Sequence, residues 1–197
     1  MLHERNDINL NTPSTEYGRT PLWWAALSGH EGVVRILLER NDVNLNTVDT
    51  KYGRTLLSWA AEGDREGLVR MLLERGDVNP DTPDTEYGRT PLGWAARYGH
   101  EGVVRMLLER NDASLDKADK RGRTPLSWAA QNGHGGVVRM LLNRNDDVDP
   151  AKAANFGQTP GFWATLNGHD QIATLLQSTE GSSTVPSEPP PKRARKL

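Results

Sequence analysis

The sequence predicts an all-α repeat solenoid, in which stacked helix-turn-helix units are joined by extended finger loops. One phrase, Gly-Arg-Thr-Pro-Leu-x-Trp-Ala-Ala or a close variant, occurs five times at steps of 35, 35, 34 and 35 residues. A constant period of this size marks repeat architectures, whose units bury an apolar face only by stacking on their neighbours. The copies begin at Gly18, Gly53, Gly88, Gly122 and Gly157. Such a chain is expected to present an extended surface instead of a pocket.

The first helix of each unit begins at the Thr-Pro pair. In the third unit, Thr90 is suited to cap free helical N–H groups and Pro91 fits the first helical turn. We expect the helix to run from Pro91 to Tyr98 and to end at Gly99, because glycine adopts the backbone that closes many helices.

The second helix opens at His100 and Glu101. Its apolar residues fall one turn apart and form a single stripe, while arginine and glutamate face water. They are Val103, Val104, Leu107 and Leu108. The polar, turn-rich segment 111–121 then predicts an extended finger that connects this helix pair to the next.

These units resemble the ankyrin repeat, whose signature is G-x-T-P-L-H-x-A-A, then G-H, then V-V-x-L-L. The resemblance covers roughly nine tenths of the chain and recurs in phase five times, which makes it specific. A tryptophan in each first helix also resembles the arrays of large fungal ankyrin-repeat signalling proteins. The family implies a stack of helix pairs that binds other proteins.

The units depart from the family signature at several places. The His after Thr-Pro-Leu is replaced, so the resemblance implies that its hydrogen bonds are replaced or lost. The residues at this position are Trp23, Ser58, Gly93, Ser127 and Phe162. The second unit also carries Asp64 and Arg65 where Gly-His stands elsewhere.

The predicted array spans residues 1–177 and starts with a partial unit, 1–17. Because that partial unit lacks helices, we expect the apolar front of the first complete unit to be partly exposed. The divergent last unit, 157–177, is expected to act as a polar cap. Segment 178–197 is rich in Ser and Pro and poor in large apolar residues, which predicts a disordered tail.

The end of the tail is basic. Lys192, Arg193, Arg195 and Lys196 follow three prolines, a pattern that resembles a one-part nuclear import signal read by an import receptor. A solvated, solubilising tail is the equal alternative.

Composition points to an intracellular protein of the nucleus or cytoplasm. The chain has no cysteine, so it has neither disulfides nor thiolate metal sites. No apolar run approaches the roughly 20 residues that span a bilayer. The net charge is −2, and the last twenty residues carry four basic side chains against two glutamates, so the array is near −4. This balance argues against broad binding to nucleic acid or anionic membranes.

A histidine recurs just before most of the second helices, and such a row could suggest a metal site. Packed helices lie about 8 to 10 Å apart, whereas zinc needs nitrogen ligands at about 2 Å, so we interpret the histidines as turn-stabilising residues and predict no metal. Those histidines are His30, His100, His134 and His169.

A tryptophan also recurs at one position of every first helix. We predict that these tryptophans belong to the core, and the alternative is an aromatic platform that binds bases or sugars. They are Trp24, Trp59, Trp94, Trp128 and Trp163, and we expect Trp23 to be the exposed aromatic.

No catalytic constellation stands out. The sequence has no Gly-rich phosphate loop with lysine, no His-Glu-x-x-His and no Gly-x-Ser-x-Gly. The aspartates recur with the turns, so no pair of them is singled out as acid and base. We predict a non-enzymatic protein without a cofactor.

The resemblance places partner binding on the finger tips and on the exposed ends of the first helices. Tyr and Arg recur there, and both are enriched among residues that carry interface energy. The candidate partner-binding residues are Tyr17, Arg19, Tyr52, Arg54, Glu62, Tyr87, Arg89, Arg97, Tyr98, Arg123, Gln131 and Asn132. The alternative is internal: neighbouring acids such as Glu86 and Asp84 neutralise the arginines.

The sequence therefore predicts a protein-protein interaction scaffold that binds an acidic or mixed polar segment of a partner protein. One alternative is a structural fragment of a larger signalling protein that self-associates through its uncapped front. A weaker alternative is nucleic-acid binding through the arginine row and the basic tail.

Overall fold

The computed structural model describes residues 9–144 and 147–182, with side chains to 179. Ten α-helices in this part of the chain form five antiparallel pairs, and one isolated bridge joins Val48 and Thr55. The helices are α1 Pro21–Leu27, α2 Glu31–Leu38, α3 Leu56–Glu62, α4 Glu66–Leu73, α5 Pro91–Tyr98, α6 Glu101–Leu108, α7 Pro125–Gln131, α8 Gly135–Leu142, α9 Pro160–Leu166 and α10 Asp170–Ser182. The predicted all-α repeat solenoid is confirmed.

The first helices begin where the Thr-Pro signal predicts. The Thr90 hydroxyl accepts a hydrogen bond from the Gly93 N–H at 3.1 Å, and the corresponding threonines of the second, fourth and fifth units do the same. In the second and fourth units the residue that replaces the family His is a serine. The Ser58 and Ser127 hydroxyls each lie 3.1 Å from the capping threonine, so they join the cap.

The core is a continuous layer between the two rows of helices. In α6 the predicted stripe of Val103, Val104, Leu107 and Leu108 is buried, as expected. Full burial of such a side chain contributes about 1.5 to 3 kcal/mol, and the stripe recurs in each unit. One helix pair alone cannot bury its own apolar stripe. Each unit buries it against the neighbouring units, so the units are stable only as a stack.

Histidines join successive units by one repeated hydrogen bond. A ring nitrogen of His100 lies 2.9 Å from the Glu62 carbonyl oxygen, and His134 and His169 make the same bond to the preceding units at 3.0 and 3.1 Å. These three histidines stand at the predicted turns, and their rings bond to the preceding unit. Among the described residues, Arg65 of the second unit makes no such bond. A cavity of about 650 Å³ lies between the first two units beside Arg65.

Arginines join the carboxyl ends of successive second helices. Arg75 Nη1 donates to the Leu38 and Arg40 carbonyl oxygens at 2.6 and 2.9 Å, and Arg110 and Arg144 repeat the contact one unit further along. These carbonyls have no partner within their own helix, so the guanidinium satisfies them. Arg75 also pairs with Asp77 at 2.6 Å, and Arg110 pairs with Asp112 at 2.7 Å.

The tryptophans differ from the sequence-based expectation in the first unit. Trp94 and Trp128 are buried as predicted, but Trp24 is 41% exposed and Trp23 is only 1% exposed. The prediction that Trp23 is the exposed aromatic is therefore wrong. Its side chain faces the next unit, where its ring centroid lies 6.2 Å from that of Trp59, whereas Trp24 lies on the opposite face of the unit.

Both ends of the array expose apolar side chains. Trp24, Val33 and Ile36 are exposed on the first unit, which confirms the expected apolar front. The last unit exposes polar residues as expected, but Phe162 and Leu166 are exposed as well, so it is not the predicted polar cap. Helix α10 continues to Ser182, past the predicted array boundary. The candidate import signal, Lys192, Arg193, Arg195 and Lys196, lies outside the described residues.

Replacing one buried tryptophan should destabilise the array far more than replacing the exposed one. We expect Trp128→Ala to lower the free energy of unfolding by about 3 to 5 kcal/mol, because it removes a buried indole and leaves a cavity. Trp24→Ala is the matched control and should lose less than half as much. Urea denaturation followed by circular dichroism measures both. Equal losses would contradict the burial assigned to the two rings.

The Arg-Asp pairs at the second helices should make stability depend on acid pH. Hydrogen bonds from Arg75 and Arg110 lower the pKa of Asp77 and Asp112 below the ordinary range. Their contribution is therefore present above the pKa of the unfolded chain, about 4, and is lost as pH falls through the lower folded pKa. Being solvent-exposed, each pair contributes about 1 kcal/mol or less.

The double variant Asp77→Asn and Asp112→Asn tests this dependence. It should be less stable than the parent at pH 7, and the difference should shrink as pH falls below about 4. Urea denaturation at a series of pH values measures it. Glu74→Gln with Glu109→Gln, at exposed neighbouring positions, is the control and should leave the pH profile unchanged. A difference independent of pH would refute the assigned ion pairs.

Candidate partner-binding groove

A groove runs along the fingers and first helices of the second, third and fourth units. It encloses about 650 Å³. Its lining residues are Tyr52, Arg54, Glu62, Glu86, Tyr87, Arg89, Trp94, Arg97, Tyr98, Arg121, Arg123, Trp128 and Gln131. We call it the arginine groove. Nine of the twelve residues predicted from the sequence line it.

The predicted residues outside the arginine groove are Tyr17, Arg19 and Asn132. Tyr17 and Arg19 belong to the first unit, where the Arg19 guanidinium carbon lies 5.0 Å from the Tyr17 ring centroid. The Asn132 side-chain amide donates to the Trp128 carbonyl oxygen at 2.8 Å, so it closes the end of α7. The predicted residues therefore cover most of the arginine groove and also reach the first unit, which lies outside it.

Each finger backbone is fixed by hydrogen bonds to the next finger. The Thr85 N–H donates to the Tyr52 carbonyl oxygen at 2.8 Å, and the Lys120 N–H donates to the Tyr87 carbonyl oxygen at 2.9 Å. Gly88, with φ of 75°, turns the finger back towards the helix. The tyrosines that line the groove are thereby held at one spacing along it.

The floor of the groove is a layer of guanidinium groups stacked on indole rings. The Arg89 guanidinium carbon lies 4.5 Å from the Trp94 ring centroid and 4.2 Å from that of Trp128 in the next unit. Arg123 repeats this arrangement, at 4.6 Å from Trp128 and 4.2 Å from Trp163. A desolvated cation-π contact contributes about 2 kcal/mol, so these arginines hold neighbouring units together.

A buried aspartate in the third and fourth units organises this layer. Asp84 Oδ2 accepts hydrogen bonds from the Trp94 indole N–H at 3.0 Å and from the Arg89 N–H at 3.1 Å. Asp119 similarly accepts a bond from the Trp128 indole N–H at 3.1 Å, and its Oδ2 lies 3.7 Å from Arg89 Nε. Each carboxylate thus compensates a buried donor of its own unit, and Asp119 also compensates the preceding unit's arginine.

The fifth unit lacks this aspartate. In the last unit Ala154 occupies the corresponding finger position. The Trp163 indole nitrogen is buried there and has no hydrogen-bond partner in the described part of the chain. The fifth unit therefore keeps the tryptophan but lacks the carboxylate that pairs with it in the third and fourth units.

The arginines of the predicted row occupy two different environments. Arg89 is only 5% exposed, and burial together with the positive charge of Arg97 lowers its pKa below the ordinary range. Arg54 pairs with Glu62, and Arg19 lies 3.8 Å from Asp49. The internal role that the sequence left as an alternative therefore applies to these three side chains.

The arginines at the mouth of the groove are more accessible. Arg121 is exposed and Arg97 is half-buried, and neither guanidinium has a carboxylate within ion-pairing distance among the residues described here. Arg97 lies 4.9 Å from the Trp128 ring centroid and 5.4 Å from that of Tyr98. The Tyr98 ring stacks on Trp94 at 6.2 Å and remains 44% exposed.

Positive charge exceeds negative charge in the groove. Its lining includes five arginines and two glutamates, although the chain as a whole carries a net charge of −2. Arg121, which stands at the tyrosine position of the fourth unit, was not among the predicted binding residues. The tryptophans were predicted as core, although Trp94 and Trp128 line the floor.

In the described ranges 9–144 and 147–182, no group of three or more His, Cys, Asp and Glu side chains could hold a metal ion. The helices of these ranges also lack the length and apolar composition that a bilayer span requires.

The stacked helix pairs and the open groove define a helical-repeat protein with an extended binding surface. A family model described as ankyrin repeats (3 copies) matches residues 1–84, 44–119, 77–153 and 111–185. The chain therefore belongs to the ankyrin repeat family, whose repeats are generally protein-protein interaction modules. No curated protein matches the sequence.

Removing the Asp119 carboxylate should disrupt the groove floor. Asp119→Ala leaves the Trp128 indole N–H without its acceptor and removes the carboxylate beside Arg89, so we expect a loss of about 3 kcal/mol or more in the free energy of unfolding. Asp112→Ala, at an exposed pair, is the control and should lose about 1 kcal/mol or less. Urea denaturation compares them, and equal small losses would show that the floor does not need this carboxylate.

Proposed function

We propose that the chain is a non-catalytic protein-binding module that holds an acidic segment of a partner protein in the arginine groove. The observation that carries this proposal is the pair Arg97 and Arg121. Both line the groove, and neither has a carboxylate partner in the described residues. Carboxylates of a partner would supply the missing counter-charges.

Arginine and tyrosine suit this role chemically. A guanidinium can donate two parallel hydrogen bonds to one carboxylate, and such charge-assisted bonds are stronger than neutral ones. The exposed face of Tyr98 adds apolar contact area beside Arg97. Residues of these two types carry much of the binding energy in many protein interfaces.

One position near the end of each first helix varies in charge from unit to unit, which concentrates positive charge in the third unit. The residue near the end of each first helix is Leu27, Glu62, Arg97, Gln131 or Leu166. Only the third unit contributes a cation at this position. The partner's acidic residues should therefore lie over the centre of the array.

The floor beneath Arg97 favours binding without rearrangement. Arg89 is held between Trp94 and Trp128, so the groove has its shape before a partner arrives. A preorganised site loses less entropy when it binds. Because Arg89 is buried, reversing its charge would disturb folding as well as binding, so Arg89 is unsuitable for a binding test.

Charge reversal at the mouth of the groove should weaken binding of acidic peptides. We expect Arg97→Glu with Arg121→Glu to reduce affinity for a fluorescent peptide of glutamate and serine by about tenfold or more, because two charge-assisted contacts are lost. Fluorescence anisotropy at low and moderate salt measures it.

The matched control changes the same charge elsewhere. Arg35→Glu with Arg70→Glu alters two exposed arginines of the second helices. If both double variants bind the peptide equally, the attraction is not located in the groove. If the unmodified chain prefers a glutamine-serine peptide or binds neither, the acidic-partner assignment is wrong.

A further inference from the structure

We infer that copies of this chain stack head to tail, with the last unit of one copy seated on the first unit of the next. The contact would join two apolar surfaces at opposite ends of the array. The front face consists of Trp24, His30, Val33 and Ile36 of the first unit. The back face consists of Phe162, Thr165 and Leu166 of the last unit.

The front face is exposed at positions that are covered in the interior of the array. Ile36 is 63% exposed, and Val33 and His30 are also exposed. In the third unit, the residue corresponding to Val33 is Val103, which is fully buried beneath the preceding unit. The first unit thus presents the surface that other units use for stacking.

The back face has the complementary property. Leu166 is 63% exposed, and Phe162 and Thr165 are exposed beside it. At the position of Thr165 the preceding units have Ala96 and Ala130, which are fully buried by the unit that follows them. The last unit therefore lacks a covering neighbour in the described structure.

The interior of the array shows how the two faces would meet. Trp23 occupies the same position as Phe162, and its ring packs on Trp59, which occupies the same position as Trp24. Phe162 of one copy would accordingly pack on Trp24 of the next. Exposed apolar patches of this kind mark association surfaces.

A polar contact fits the same arrangement. At an interior junction the His134 ring nitrogen lies 3.0 Å from the Arg97 carbonyl oxygen of the preceding unit. His30 is the corresponding histidine of the first unit, and Leu166 carries the corresponding carbonyl of the last. Stacking would pair His30 with the Leu166 carbonyl, and this match of position and chemistry points to a second copy as the occupant.

The two surfaces differ, so the contact is heterologous. Every open assembly keeps one free front and one free back, so growth continues beyond a dimer until the copies either close into a ring or form a filament. The weight-average mass of the intact chain should therefore rise with concentration beyond that of two copies. Analytical ultracentrifugation over a wide concentration range measures it, and a chain that stays monomeric throughout overturns the inference.

Two single variants and their mixture test the geometry. Ile36→Asp blocks the front face and Leu166→Asp blocks the back face, and both positions are exposed enough for the fold to tolerate the change. Each variant alone should remain monomeric. An equimolar mixture should form a one-to-one dimer and nothing larger, because one intact back meets one intact front.

Other outcomes exclude this geometry. If Leu166→Asp alone still dimerises, the contact is front to front, and if the mixture stays monomeric, the two faces do not bind each other. Arg70→Asp, at an exposed residue away from both faces, should assemble like the intact chain. If it does not, general charge effects drive association and the inference fails. Circular dichroism confirms that each variant is folded.

Discussion

The stacking of arginine cations on indole rings, in a layer shared by successive units, is the interaction on which the rest of the groove depends. Arg89 lies between Trp94 and Trp128, with Asp119 close to its Nε. A buried cation is costly unless its surroundings compensate it, and here two ring faces and a carboxylate do so. Because these groups come from adjacent units, no unit can rearrange in this layer without disturbing its neighbour.

Arginines of the groove occupy two positions, one within this layer and one above it, and we propose that only those above it contact a partner. Arg89 supplies positive charge from below, while Arg97 and Arg121 carry theirs at the mouth of the groove. The repulsion between Arg89 and Arg97 contributes to the lowered pKa of Arg89. An anionic ligand in the groove would relieve that repulsion, which is the electrostatic basis of the acidic partner we propose.

Local signals specified the helices, but burial depended on neighbours that a single unit does not contain. Helix α5 runs from Pro91 to Tyr98 as predicted, because a capping threonine, a first-turn proline and Gly99 fix its ends. Trp23 and Trp24 are adjacent in sequence yet face opposite neighbours, and only the stack shows which one is covered. The depth of Arg89 likewise depends on a tryptophan of the following unit, which periodicity alone does not reveal.

The junction between the first two units is built differently from those that follow. Arg65 replaces the histidine that elsewhere bonds to the preceding unit, and a cavity of about 650 Å³ opens beside it. In a linear array, stability is a sum of unit and junction contributions, so separation begins at the weakest junction. The first unit should therefore unfold locally, and its amide hydrogens should exchange with solvent while units two to five stay folded. The first unit is then the least stable part of the array, and the arginine groove lies on the more stable units two to four.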